Sequence, residues 1–313
     1  MAEPTPSTTI DFPRELGIVV EGLRKARLDW RASHARHAER GIQFPSQQAL
    51  RRILRELGTA LFPLRLGPPE LTAANENAWV EATLESTVSQ LAAQIAIGLR
   101  VAQPGIDSAA EAVEIDRIIG AFAASLPDIR RALDADVEAG YANDPAARSV
   151  DEVLLSYPSL SAIIHYRIAH RLYELGAPLV ARVIAEIAHA DTGIDIHPGA
   201  QIGHSFFIDH GTGIVIGETA TIGNRVRLYQ GVTLGGEPLL AGGAYAGGTR
   251  SKTRRHPAIA DDVVIFAGAV LLGPITVGAG ARIAGNVWLR SDVPPDSVVE
   301  AAVPVIRPRA SGE

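Results

Sequence analysis

Small aliphatic residues recur every six positions through the last third of this chain, and few architectures are compatible with that period. Read in sixes, the chain gives Ile196, Ile202, Ile208, Ile214, Ala220, Val226 and Val232, with a second comb, offset by two, at Ile216, Ile222, Leu228 and Leu234. Further on the pattern returns as Ile259, Ile265, Leu271, Val277, Ile283 and Leu289, interleaved with Val263, Ala269, Ile275, Ala281, Val287 and Val293. A helix repeats near 3.6 residues and a single strand near 2, so a sustained six-residue period predicts a parallel β-helix. In that fold short strands form flat faces and tight turns form the corners. Glycines stand where such turns need them, at Gly217, Gly223, Gly278 and Gly280. An ordinary sandwich of Val/Ile-rich strands is the alternative, but alternation alone does not hold phase over so many hexads.

The register breaks between Leu234 and Ile259, whose separation is not a multiple of six, so a loop is expected to leave the coil over residues 235–258. Its text runs through Gly235-Gly236-Glu237-Pro238 and Gly247-Gly248 to the cations Arg250, Lys252, Arg254 and Arg255. It reads either as a solvated excursion or as a flap carrying cations over a site. Upstream, from about residue 11 to 190, the periodicity is helical: Leu50, Ile53, Leu54, Leu57 and Leu61 follow Ser46, a candidate N-cap, and Ile115, Ile118, Ile119, Phe122 and Leu126 repeat the pattern. Breaks are expected near Pro63–Pro69 and Pro104-Gly105, and two last helices near 159–175 and 178–190. The fold class is therefore α+β: an all-α part over 1–190, a parallel β-helix over 191–297 and a tail over 298–313.

Composition narrows the function. No apolar run reaches the about 20 residues that span a bilayer, and the first twelve residues lack a secretory layout, so a cytoplasmic location without membrane contact is expected. A formal charge of -6 disfavours nucleic acid as the main partner. The absence of cysteine excludes disulfides, thiolate metal sites and acyl-cysteine intermediates.

Polar groups interrupt the comb at Asp195-Ile196-His197-Pro198, at Asp209-His210-Gly211-Thr212-Gly213 and at Arg255-His256-Pro257, with Asp144-Pro145 upstream. If one coil takes three hexads, the spacing of Asp195 and His210 brings them close on adjacent coils. A carboxylate holding one imidazole nitrogen leaves the other free as a general base. His197 fits a turn-closing role as well as a direct one, and Asp144-Pro145 fits a turn or helix start equally. His165 and His170, on an apolar helix, read as packed side chains, as do His34 and His37.

These strings, together with Tyr166-Arg167-Ile168-Ala169-His170, Gly213-Ile214-Val215-Ile216-Gly217-Glu218-Thr219 and Val232-Thr233-Leu234-Gly235-Gly236, resemble serine O-acetyltransferases, members of the hexapeptide-repeat acyltransferases. The resemblance covers residues 144–297 well and the helical half only in type and length. It implies a left-handed β-helix and transfer of acetyl from acetyl-CoA to the hydroxyl of L-serine, in a ternary complex with no covalent enzyme intermediate and no metal. By the same resemblance His210 is the base and Asp195 its orienting partner. Asp144 and Asp209 would bind the substrate ammonium, and Arg255 and His256 its carboxylate. Acetyl-CoA would lie in a groove between two β-helices, touching Gly235, Gly236, Ala267, Gly268 and Gly285, with Arg282 near phosphate. The site would thus be shared between subunits of a homotrimer or of a dimer of trimers.

The chain departs from the family at Glu237, in the length of the loop, in Ala284-Gly285-Asn286-Val287-Trp288 and in Ala301-Ala302-Val303-Pro304-Val305, all on the CoA side. It ends in Ser311-Gly312-Glu313 where family members that dock into cysteine synthase end in isoleucine, so that complex is not expected. Inhibition by cysteine in the serine pocket is a family expectation. Three other readings compete: a hexapeptide acyltransferase for another acceptor such as homoserine or a sugar, a β-helical carbonic anhydrase with three zinc-binding histidines, and a non-catalytic scaffold. The joint presence of Asp144, Asp209 and Arg255 speaks against the first, the wrong histidine spacing against the second and the Asp195/His210 pair against the third.

Overall fold

The computed structural model describes residues 12–33, 43–236 and 254–301. His34, His37, the loop residues 237–253 and the tail residues 302–313 lie outside the described residues. The chain divides into two compact units, 1–44 and 45–313. The first contains α1 (Phe12–Ser33), an amphipathic helix on which Glu21 pairs with Arg24.

The second unit begins with seven helices: α2 (Gln47–Leu61), α3 (Pro63–Leu66), α4 (Glu76–Ala102), α5 (Ser108–Asn143), α6 (Val150–Ser156), α7 (Pro158–Glu174) and α8 (Pro178–Thr192). Ser46 does cap α2, accepting the Ala49 N–H at 3.2 Å, and Asp107 caps α5 through the N–H groups of Ala109 and Ala110. Gly193, at φ 71°, ends α8 in the left-handed conformation that lets the chain turn into the first strand at Asp195. The stripes read from the sequence point inward: Leu50, Ile53, Leu57, Ile118 and Phe122 have no measurable exposure.

From Asp195 the chain winds as a parallel β-helix of three faces. The first face stacks strands beginning at Asp195, Val215, Thr233, Val270 and Trp288, the second those at Gln201, Thr221, Ala258 and Thr276, and the third those at Phe207, Arg227, Val264, Arg282 and Val298. Every pairing is parallel and in register, so both combs of aliphatic residues stack inside the coil. Each inward Ile or Leu contributes about 1.5–3 kcal/mol by leaving water. The last strand, Val298–Val299, pairs with Arg282–Ile283 and carries the solenoid past residue 297.

The hexad register slips more often than the sequence suggests. Asp195 stacks on Val215, twenty residues on, rather than eighteen, while Val215 stacks on Thr233 and Val270 on Trp288 at the regular eighteen. The two extra residues fall between the strands Phe207–Asp209 and Val215–Ile216, in the corner that carries His210. The offset between the two combs is this insertion. A compensating shortening follows Trp288–Leu289, since Val277 bridges to Val293.

The open end of the first coil is closed by α5 and α7. Arg167 donates to both oxygens of Asp136, at 2.5 and 2.8 Å, and to the Gly203 carbonyl at 2.8 Å. Asp136 also accepts the Phe206 N–H at 2.9 Å, and Tyr166 donates its hydroxyl to the Ala200 carbonyl at 2.7 Å. His170 Nδ1 lies 2.8 Å from the Pro198 carbonyl. The polar members of the Tyr166–His170 string thus supply partners for backbone groups that a terminal coil leaves unpaired. Asp136 is fully buried and Arg167 nearly so. Asp136→Ala should therefore leave a buried cation unpaired and cost about 3–5 kcal/mol in urea unfolding. A loss below about 1 kcal/mol would mean that the pair does not clamp the two halves.

Candidate active site

One cluster forms at the corner between the third and first faces. Asp209 ends the strand Phe207–Asp209, and His210 follows at φ 61°, the left-handed region that a side chain rarely adopts. Gly211 (φ 97°) and Gly213 (φ 81°) continue the corner. The two-residue insertion and this backbone turn the imidazole outward, where its side chain is 73% exposed and its Nε2 stands 3.7 Å from Asp209 Oδ1. The other oxygen of Asp209 accepts from Arg227, which stacks over the Tyr229 ring.

Asp144 reaches the same corner from the C-cap of α5. One of its oxygens accepts the Ala146 N–H at 2.8 Å, a local turn bond, and the other accepts the Tyr157 hydroxyl. The Tyr157 and Ala146 donors hold the Asp144 carboxyl below the usual range, with the charges of Arg227 and His210 adding to the effect. The bond to the carboxylate pushes Tyr157 up to about 12. The turn reading of Asp144-Pro145 holds, and since each carboxylate oxygen accepts one bond here, each keeps a further lone pair.

Asp195 sits on the neighbouring rung: its N–H donates to the Ile214 carbonyl at 2.9 Å and Gly213 donates to the Gly193 carbonyl at 2.8 Å. Among the described residues no hydrogen bond or ion pair joins the Asp195 and His210 side chains; the carboxylate nearest His210 within one chain is Asp209.

A second cluster occupies the corner between the first and second faces. Arg255 donates to Glu218 at 3.0 Å, and Glu218 also accepts the Tyr173 hydroxyl at 3.0 Å. His256 is 4% exposed and bonded through Nδ1 to Thr219. Gly235 and Gly236 lie here as well; a Cβ on Gly236 would stand 3.2 Å from His256 Nε2. Burial and the Arg255 charge hold His256 below its ordinary value against the pull of Glu218.

The remaining residues expected to touch CoA are on the first cluster's corner. Asn286 donates its N–H to the Ala267 carbonyl at 2.9 Å, a Cβ on Gly285 would stand 2.8 Å from that carbonyl, and a Cβ on Gly268 would stand 2.4 Å from Asn286 Oδ1. Gly213, Gly231 and Gly268, all left-handed, stack into a stripe of bare backbone below His210, and the side chain of Asn286, also left-handed, ends it. The side chain of Arg282, on the third face, has no hydrogen bond or ion pair among the described residues. Within one chain, therefore, the expected site residues fall on two corners separated by one face, roughly 15–20 Å at about 3.3 Å per residue.

His197 closes a turn, its Nδ1 accepting the Gly199 N–H at 2.9 Å, and packs edge-on to Tyr173. Among the described residues no three His, Asp or Glu side chains come together as a metal-binding group, so the three-histidine zinc site has no donor set there. No described helix is long and apolar enough to cross a membrane. Sequence reasoning missed Arg227, Tyr157 and Tyr173. Arg227 was within reach, since eighteen residues after Asp209 places it on the neighbouring coil, whereas Tyr157 and Tyr173 depend on how the helices pack.

A parallel β-helix with an outward corner histidine, two carboxylates beside it and a bare backbone stripe below defines an acyltransferase of the hexapeptide-repeat class. No family model matches the chain. The protein named "serine acetyltransferase, plasmid" of Synechococcus elongatus is 47% identical over 294 residues, covering 92% of this chain and 91% of its own. The structure of serine acetyltransferase isoform 3 of Entamoeba histolytica in complex with cysteine superposes with a TM-score of 0.69 at 34% identity, over 83% of this chain and 84% of that one. A serine acetyltransferase solved in complex with CoA gives 0.51 at 29% identity, over 79% and 95%. This chain belongs to the serine acetyltransferase family.

The Asp144–Tyr157 bond carries a sign that can be checked. A depressed carboxyl contributes stability above its unfolded value, near 4, and loses that contribution only as pH falls through its lower folded value. The midpoint difference between wild type and Tyr157→Phe in thermal unfolding should be largest near pH 6 and should shrink on acidification below about 4. A difference that grows on acidification would contradict the assignment.

Proposed function

We propose that the enzyme transfers acetyl from acetyl-CoA directly to the hydroxyl of L-serine, giving O-acetyl-L-serine and CoA, at a site completed by two copies of the chain. His210 Nε2 removes the hydroxyl proton as serine Oγ attacks the thioester carbonyl. The new C–O bond forms, the C–S bond breaks, and the imidazolium returns its proton to the departing thiolate. Asp144 and Asp209 hold the ammonium and Arg255 and His256 the carboxylate, so opposite charges fix the zwitterion on either side of the reacting hydroxyl. Asp195 orients the imidazole once the neighbouring subunit encloses this exposed corner. CoA runs along the bare stripe of Gly268 and Gly285 with Ala267, reaching Gly235 and Gly236 of the neighbouring copy, and Arg282 meets a phosphate.

The observation that carries this reading is the separation of the two clusters on one chain. A base at one corner and a carboxylate clamp at the next cannot touch one small amino acid. A cyclic trimer of β-helices, alone or as a dimer of trimers, would bring the corner of one copy against the other corner of the next. The cysteine and CoA complexes of the two structural neighbours support the ligand classes. A different acceptor, such as homoserine, is the remaining alternative, and a complex with cysteine synthase is not proposed.

Thiol release from acetyl-CoA with L-serine, L-homoserine, L-threonine and a simple sugar tests the acceptor, and strong preference for L-serine is expected. His210→Ala should lose most turnover, about 10²–10⁴-fold, with serine binding largely intact. His210→Ala and Arg255→Ala chains, unfolded and reassembled together, should recover roughly a quarter of wild-type sites if base and clamp come from different copies. No recovery in mixed oligomers would place both on one chain and overturn the shared site.

A further inference from the structure

The segment Gly217-Glu218-Thr219 joins the first face to the second directly under the Arg255–His256 pair, and each of its residues meets that pair. The Thr219 N–H points at His256 Nδ1 at 3.1 Å, and the Thr219 hydroxyl lies 2.8 Å from the same nitrogen. A backbone N–H can only donate, so Nδ1 is the acceptor and the ring proton resides on Nε2. The same hydroxyl oxygen accepts the backbone N–H groups of Arg255, at 2.9 Å, and His256, at 3.2 Å. One threonine oxygen thus receives both residues of the clamp as the chain re-enters the coil, and hands its own proton to the imidazole.

Gly217 supplies the space. A Cβ there would stand 2.0 Å from His256 Nε2 and 2.1 Å from Cδ2, so only glycine lets the ring lie against the strand. The Nε2 edge sits in the notch between Gly217 and Gly236 and has no hydrogen-bond partner among the described residues. The ring is buried and its Nε2–H has no acceptor among the described residues, which leaves it as a donor for a ligand.

We infer that Thr219 and Gly217 are positioning residues that fix His256 as a neutral Nε2–H tautomer, so that it recognises the amino-acid carboxylate as an uncharged donor while Arg255 alone supplies the positive charge. This rests on the reading of Arg255 and His256 as the carboxylate clamp. The charged groups facing the ring are Arg255, which disfavours its protonation, and Glu218, which favours it; burial and Arg255 together outweigh Glu218 and hold the ring below its ordinary value, so it is neutral at pH 7 and above. The consequence is a serine affinity that His256 does not make pH-dependent between about pH 7 and 8.

The test combines kinetics with a signal that activity does not enter. Thr219→Val orphans two backbone N–H groups and removes one donor to Nδ1, and should raise KM for serine about tenfold or more with kcat changed much less, whereas Thr219→Ser should stay near wild type. Gly217→Ala should raise KM in the same way by displacing the ring. A Thr219→Val enzyme with KM within about twofold of wild type would overturn the positioning role. Should that variant fail to fold, the ¹⁵N spectrum of the histidine-labelled wild-type enzyme decides. A bare acceptor Nδ1 and a protonated Nε2, unchanged from about pH 7 to 8, are expected; an Nδ1–H tautomer or an imidazolium in that range would overturn the inference. The clamp itself is judged separately by Arg255→Ala: an unchanged KM for serine there would remove the clamp while leaving the tautomer result standing on its own.

Discussion

The ion pair between Arg167 and Asp136 is the contact on which the placement of the site depends. A β-helix that begins abruptly leaves the polar backbone of its first coil without neighbours, and burying such groups unpaired costs free energy. Here the guanidinium bonds the Gly203 carbonyl while Asp136 takes the Phe206 N–H, so one pair closes the coil and ties two helices to it. Its geometry then propagates. Asp136 stands about two turns before the end of α5, so fixing it fixes where the helix delivers Asp144 beside His210. Arg167 likewise fixes α7, whose Tyr173 reaches Glu218 and, through it, Arg255. Helices α5 and α7 are therefore part of the frame of the candidate site, joined to both clusters by short chains of hydrogen bonds.

The solenoid contributes the opposite property, a rigid and repetitive frame that can be broken locally. Regular hexads bury their aliphatic residues and place nothing reactive at the corners. The enzyme interrupts that regularity at two places. Two additional residues enlarge the corner at His210 and hold it in a left-handed conformation. The described coil stops at Gly236 and resumes at Arg254. Both interruptions lie at candidate functional clusters, and the left-handed backbone at His210 agrees with the general finding that strained backbone is retained where a side chain must be presented. The stable coils on either side hold that strained corner in place.

The six-residue comb made the β-helix legible, and the helical stripes made the first half legible, because periodicity reports directly which side of an element leaves water. The motif strings likewise identified His210, Asp209, Asp144, Arg255 and His256 as polar residues at positions where the fold asks for turns. Less legible was the coil length: eighteen residues were assumed at a corner that contains twenty, and the offset of two between the combs was the sign of it. Tyr157 and Tyr173 carry no local signal, since an aromatic residue on a helix reads as packing until its hydroxyl is seen to face a carboxylate.

By itself the sequence determined the architecture, the reactive residue types and the order in which they occur, because burial patterns and turn chemistry are local properties of the chain. The tertiary structure decided which of those residues meet. It put Asp209 with Arg227, Asp144 with Tyr157 and His256 with Thr219, and it set His210 and the Arg255–His256 pair on different corners of the prism. These outcomes depend on coil length, backbone handedness and helix packing, which arise from contacts between residues far apart in the chain and are not encoded by any short stretch of it.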